Sequence, residues 1–165
     1  MKKILLTLTL TAIFMSCSSD DNTDRNPVDI IDKDNTILKG NWEFVEYLYM
    51  DSANNIIQEV PASNNGGCGK DKLEIKDEFF IYNFPVLIEE ECKEESLAFQ
   101  YEIKGKEIIN LTHPKVGTHV EEVVVVNEAW LSIRESGDDV DYRVFKGELP
   151  PNTKYIRYEY KKIIN

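Results

Sequence analysis

Histidine is almost missing from this chain: His113 and His119 are the two copies in 165 residues. Cysteine is scarce and odd in number, with Cys17, Cys68 and Cys92. A zinc centre needs about four nitrogen, sulfur or oxygen ligands brought close together, and these few residues, far apart in sequence, do not supply one. Neither G-x-S-x-G nor H-E-x-x-H occurs. No catalytic residue, metal ligand or cofactor is therefore assigned, and an enzymatic role is not expected. Beyond Phe14 no stretch approaches the 18 consecutive apolar residues that a spanning helix needs. Basic side chains are also short: 19 Lys and Arg stand against 30 Asp and Glu, a formal charge of −11. Nucleic-acid phosphates and anionic head groups repel such a chain, which excludes nucleic acid as a partner.

What the N-terminus does contain is Lys2-Lys3 followed by Ile4 to Phe14, apolar except for three threonines. That run is too short to cross a hydrocarbon core of about 30 Å and has the length of a secretory h-region. Met15-Ser16-Cys17 follows, a small residue directly before a cysteine, and this resembles the bacterial lipobox. The resemblance implies cleavage before Cys17 and lipidation of its sulfur and new amine. The alternative is an ordinary cysteine within a discarded peptide. Each buried CH₂ contributes about 0.8 kcal/mol, so two or three acyl chains anchor stably where one does not. Ser18-Ser19-Asp20-Asp21 resembles the export signal that carries lipoproteins of Bacteroidetes to the outer face of the outer membrane; a polar tether with no address is the alternative. The expected organisation is a signal peptide over 1–16, a flexible acidic tether over 17–36 and one domain over 37–165. The expected location is the outer membrane, lipid-anchored and exposed at the cell surface. Removing Lys2 and Lys3 with the signal makes the mature chain more acidic by two charges.

In an exported protein Cys68 and Cys92 meet an oxidising compartment, so a disulfide is the expected state. Free thiols and a metal pair are the alternatives. A closed loop of about 25 residues contributes roughly 3–4 kcal/mol in the chain-entropy account.

From Gly40 onward the apolar pattern has a period of two. Trp42, Phe44, Leu48 and Met50 alternate with Glu43, Val45, Tyr47 and Tyr49, interrupted at Glu46. Lys76 to Glu78 reads as a turn, and Phe79 to Phe84 as a return strand stopped by Pro85. Leu97, Phe99, Tyr101 and Ile103 alternate with polar residues, and Lys104-Gly105-Lys106 turns the chain into Glu107 to Thr112. Val120 to Asn127, Trp130 to Arg134, Val140 to Phe145 and the tail KYIRYEYKK complete the pattern, while Asp29 to Leu38 alone has helical flavour. Roughly eight to ten short strands without a βαβ rhythm predict an all-β, antiparallel barrel, or alternatively a β-sandwich.

The stretch Leu38-Lys39-Gly40-Asn41-Trp42 resembles the first strand of lipocalin-like proteins. The order that follows is similar to small lipocalin-like lipoproteins of Bacteroidetes. Its pieces are Cys68, Lys70-Asp71-Lys72-Leu73-Glu74-Ile75, Cys92, Leu131-Ser132-Ile133 and Tyr142-Arg143-Val144-Phe145. The resemblance spans about Leu38 to Lys146; the tail after Pro151 lies beyond it. It implies a barrel of about eight strands closed at one end by Gly40 and Trp42. In lipocalins an arginine packs on that tryptophan; Arg134, Arg143 and Arg157 compete for the role.

Such an interior is filled by side chains or holds one small ligand. The candidate lining residues are Phe44, Phe79, Ile81, Phe99 and Tyr101 on the earlier strands, with Trp130, Tyr142 and Val144 on the later ones; plain core is the alternative for each. Glu89 to Glu95 places five carboxylates in seven residues. Without a turning glycine or EF-hand spacing it reads as a solvated loop. His113 and His119 flank Pro114 and Gly117 in an expected connecting loop. Asp51-Ser52-Ala53 resembles the O-glycosylation acceptor of Bacteroidetes, with Ser52 as the site. Asn110-Leu111-Thr112 matches N-x-[ST] but lies in an expected strand. The functional expectation is a non-catalytic barrel binding a small apolar or glycan-derived ligand. The alternative is a scaffold whose loops engage an outer-membrane protein partner, through the acidic loop and Gly147 to Tyr155.

Overall fold

The computed structural model describes residues 36–104, 108–115, 117–136 and 149–164. The period-two pattern becomes nine antiparallel strands: β1 (Gly40–Met50), β2 (Ile56–Pro61), β3 (Lys72–Ile75), β4 (Phe79–Ile88), β5 (Glu91–Lys104), β6 (Ile108–His113), β7 (Gly117–Val126), β8 (Trp130–Ser136) and β9 (Tyr155–Lys162). Eight of them close into a barrel in the cyclic order β1-β3-β4-β5-β6-β7-β8-β9, with β9 returning to pair with β1 from Trp42↔Lys162 to Met50↔Tyr155. The sandwich is thereby excluded.

The ninth strand, β2, was not anticipated. It pairs with the second half of β1, Glu46 to Met50, while β3 pairs with the first half, Gly40 to Glu43. The two therefore share one side of β1, and β4 runs on past the end of β3 at Lys72↔Asn83. This leaves a seam in the wall between β2 and the far half of β4. Residues 62–71 lie across the sequence interval between β2 and β3, and the Cys68–Cys92 disulfide ties that segment to the start of β5.

Three other expectations are corrected. Pro85 does not stop β4, because beyond Asn83 that strand is paired only to β5, and an edge tolerates a missing N–H. The acidic stretch is not a loop. Glu89 and Glu90 form a two-residue hairpin turn, both at positive φ, and Glu91 to Glu95 pair with Phe84 to Ile88. His113 ends β6 and His119 lies within β7, so both belong to strands, and their rings stand 5.4 and 5.2 Å from that of Phe99.

In β1 a β-bulge between Phe44 and Glu46 resets the parity of the strand. Trp42 and Phe44 point inward, but beyond the bulge Tyr47 and Tyr49 join the interior cluster while Leu48 and Met50 turn to the outer face, where they are still buried. The expected grouping of Leu48 and Met50 with Trp42 therefore fails at the bulge.

The interior has two unlike halves. Around Trp42 it is apolar and filled, with Leu38, Leu73, Phe80, Ile109, Leu131 and Trp42 itself all fully buried. The indole N–H of Trp42 donates to the Leu38 carbonyl at 2.8 Å. The cation on this tryptophan is Lys162, whose Nζ lies 4.4 Å from the ring centroid and donates to the Lys39 carbonyl at 2.7 Å. Burial lowers the Lys162 pKa. Neither Arg134 nor Arg157 takes the expected role, and Arg143 lies outside the described residues. Gly40 has a positive φ of 131°, and a Cβ there would stand 2.9 Å from Lys162 Cε. The Gly-x-Trp spacing thus brings the lysine onto the indole: the glycine leaves the space and the tryptophan offers the ring face.

Candidate functional site

The other half of the interior is polar. β7 and β8 are paired so that Glu122 faces Arg134 and Val123 faces Ile133. The neighbouring Glu121 and Glu135 carry the inward parity of Val123 and Ile133. Both carboxylates are buried, at 6% and 3% exposure. Tyr82 of β4 donates its hydroxyl to Glu121 Oε1 at 3.1 Å, and Tyr158 of β9 donates to Glu135. His119 Nε2 stands 3.4 Å from Glu121 Oε1. Tyr160, 5% exposed, packs its ring edge-on against Phe44, and its hydroxyl has no hydrogen-bond partner among the described residues.

A buried carboxylate needs donors to offset its lost hydration, and the tyrosines supply them. The carboxylates in turn oppose ionisation of the phenols. The pKa values of Tyr82 and Tyr158 are pushed well above the ordinary tyrosine range, first by burial and then by Glu121 and Glu135 respectively. Tyr160 is raised by burial and then by Glu121. Tyr47 is raised by burial and then by Asp71, whose own carboxyl is raised by burial against the lowering effect of the Asn65 side-chain hydrogen bond.

Little empty space remains among these groups. One cavity of about 10 Å³ lies between Phe44, Tyr47, Asp71 and Phe84, and another of about 10 Å³ between His119, Glu121, Ile133 and Glu135. Tyr82, Tyr158 and Tyr160 line both. Each has room for about one water molecule. A cleft of about 360 Å³ opens on the surface at the seam, between Asn65 and Asp71 on one side and Phe84, Val86 and Leu97 on the other. It shares Asp71 and Phe84 with the first cavity. A further concavity, about 720 Å³, is a solvent-open trough along the outer face of β5 to β7, lined by Gln100, Glu102, Lys104, Thr112 and Thr118. It presents no buried group.

Of the lining candidates, Phe44 and Phe99 point inward and are buried. Tyr101 shares that face, half-buried toward the closed end, where its ring meets Phe80 and its hydroxyl donates to the Lys76 carbonyl at 2.9 Å. Phe79, Ile81 and Trp130 are corrected: they sit on the outer face, and their neighbours Phe80, Tyr82 and Leu131 hold the interior positions. The run Phe79-Phe80-Ile81-Tyr82 is apolar or aromatic at both parities, so the period does not reveal its phase. Tyr142 and Val144 lie outside the described residues, as do Cys17 and the tether through residue 35. Glu121, Glu135, Tyr82, Tyr158, Tyr160 and Asp71 were all missed. A charged residue at an inward parity, as in Leu131-x-Ile133-x-Glu135, is the signal that could have found two of them.

On the outer face Arg134 binds Glu122 through two nitrogens, donates to Asn54 at 2.7 Å and covers the Tyr155 ring at 4.7 Å. Ser132 donates to the fully buried Glu159, which also pairs with Arg157 at 2.6 Å. Ser52 is exposed in the β1–β2 turn, which Asp51 holds by accepting from the backbone of Ala53 and Asn55. Among the described residues no group of His, Cys, Asp and Glu is arranged to hold a metal ion, and no helix is long and apolar enough to cross a membrane.

No protein-family model matches the chain, and no curated protein matches it in sequence. Among solved structures the chain is similar to a lipocalin-like protein from Bacteroides uniformis ATCC 8492. The two share 13% identity with a TM-score of 0.46, over 77% of this chain and 99% of that one.

Proposed function

We propose that the protein is a lipid-anchored outer-membrane lipoprotein whose lipocalin-like barrel binds a small ligand without catalysis. The anchor would be Cys17, with the tether holding the domain off the membrane. The observation that carries the binding reading is the division of the interior. The half around Trp42 is packed with apolar side chains and leaves an apolar ligand no space. The other half is polar, keeps small gaps and adjoins, at Asp71 and Phe84, a surface cleft of ligand size. The recognition surface then consists of tyrosine rings, hydroxyls and carboxylates, which suits a ligand with hydrogen-bond donors better than a hydrocarbon. Native mass spectrometry of protein gently extracted from envelopes tests this: a retained small molecule is expected, and its absence together with unperturbed amide resonances around Asp71 in ligand screens would sink it. Metabolic labelling with a palmitate analogue tests the anchor, with incorporation expected in the full chain and lost on Cys17→Ala.

A second reading has its own observation. Ile56 and Ile57 on β2 and Leu87 and Ile88 at the end of β4 are exposed large apolar residues flanking the seam. A loop-directed protein partner would cover them. Cross-linking from position 57 or 87 on intact cells, recovering one discrete heterologous protein, would favour it.

A further inference from the structure

We propose that the seam cleft beside the Cys68–Cys92 disulfide is the binding site for a small organic amine, with its ammonium at Asp71 and its apolar part against Phe84, Val86 and Leu97. This rests on the ligand-binding reading above and names the ligand class.

The cleft has a volume of about 360 Å³, within the range that takes small molecules. Its wall is divided. Phe84, Pro85, Val86 and Leu97 offer apolar surface, while Asn65, Asp71 and Glu95 offer polar atoms. Asp71 is half-buried at the inner end, held by Asn65 Nδ2 at 2.8 Å through one carboxylate oxygen. Its other oxygen makes no hydrogen bond among the described residues. Deeper in, Phe84 stacks parallel to Tyr82 with centroids 6.4 Å apart; both line the first cavity, and Tyr82 also lines the second, which Glu121 and Glu135 bound.

From the cleft to the centre the linings therefore present four carboxylates, Asp71, Glu95, Glu121 and Glu135, and four phenols. No arginine lines this path among the described residues, and its one lysine, Lys72, is exposed at the rim. A cation gains from each carboxylate, and the ring faces of Tyr47 and Tyr82 add cation–π attraction. A carboxylate or phosphate ligand is repelled by each of these carboxylates and finds a lysine only at the rim. Behind the cleft, Tyr160 is more than nine-tenths buried and lines both inner cavities, and its hydroxyl makes no hydrogen bond among the described residues. The overall charge of −11 draws cations toward the surface as well.

The test uses 2-phenylethylamine, with 2-phenylethanol as neutral counterpart and 3-phenylpropanoate as anion, titrated into the oxidised protein by NMR. The amine is expected to shift amides of Asp71, Phe84 and Leu97 and to bind about tenfold or more tightly than the alcohol, the scale of one charge-assisted hydrogen bond. Asp71→Asn should remove that preference, and Glu95→Gln should halve it or more. Glu102→Gln, in the outer trough, should leave it unchanged. Should Asp71→Asn fail to fold, the Glu95→Gln and Phe84→Ala variants carry the same comparison. Equal binding of amine and alcohol at the cleft overturns the amine and leaves ligand binding standing. Absence of shifts at the cleft with all three compounds overturns the inference outright.

Discussion

The two halves of one barrel interior solve the same packing problem in opposite ways. Around Trp42 the strands bring apolar side chains into contact, and the Lys162 ammonium is fastened by two backbone carbonyls and an indole face. Toward the other end the same strands present Glu121 and Glu135, each accepting from a tyrosine, together with Tyr47 and Tyr160, and leave water-sized gaps. A barrel built only for stability has no need of the second arrangement, since replacing hydrogen-bonded buried charges by apolar groups of similar volume is often neutral or stabilising. The closed half supplies the apolar packing; the polar half holds the buried carboxylates and phenols.

From that division, the largest loss of stability is expected at the apolar end. Trp42→Ala removes a fully buried side chain, its hydrogen bond to Leu38 and the ring beneath Lys162. We expect about 3–5 kcal/mol of destabilisation in urea unfolding. A loss under about 1 kcal/mol would mean that the Trp42 end is not the structural half.

The disulfide comes next and acts at the seam. Reduction, or paired Cys68→Ser and Cys92→Ser substitution, releases a loop with a sequence separation of 24 and should cost about 3 kcal/mol. The barrel should survive it, because the ladder of β1 with β9 does not involve that loop. Amide exchange is therefore expected to quicken at residues 62–71 and the β4–β5 hairpin while remaining slow around Trp42. Uniform loss of protection would erase the distinction between the halves.

The polar half has a pH signature. An ordinary tyrosine titrates near 10, whereas Tyr82, Tyr158 and Tyr160 titrate well above that in the folded chain. Above pH 10 the unfolded chain gives up phenolic protons that the folded chain retains, so stability present below pH 10 falls as pH rises. The urea midpoint should drop between pH 8 and pH 11, and absorbance at 295 nm should show these phenols ionising only as the protein unfolds. Tyr158→Phe removes one such group and strips Glu135 of a donor. It should cost about 1–3 kcal/mol at pH 7 and flatten the alkaline decline.

How much of this was legible in sequence follows the same divide. In β9 the residues between Ile156, Tyr158 and Tyr160 are Arg157 and Glu159, so polarity revealed which face turned inward, and the barrel class followed from the repetition of such strands. In β4 both parities are apolar, and the phase was lost until the register with β3 and β5 fixed it. In β1 the alternation was read through a bulge that only its pairing with β9 discloses. The polar site was hidden for a different reason. Glu121 and Glu122 are adjacent, and sequence treats them alike, yet one is buried against Tyr82 and the other meets Arg134 outside. The lysine on Trp42 lies 120 residues from it in sequence, too far for any local pattern to announce.

The smallest effect should come from the hairpin that overhangs the seam. Glu89 and Glu90 occupy its two central positions with φ of 52° and 68°. Two-residue hairpins of this hand favour Asn-Gly, because a side chain with a Cβ pays for positive φ and asparagine and glycine pay least. Both glutamates are exposed and neither lines the cleft. Replacing the pair with Asn-Gly should therefore stabilise the protein by about 0.4–1 kcal/mol while leaving amine binding at Asp71 unchanged. That outcome would show the turn to be a structural cost independent of the site. A gain in stability accompanied by weaker binding would instead mean that the strained turn holds the β4 edge of the cleft in place, and that the boundary between the two regions lies nearer the hairpin tip than the seam.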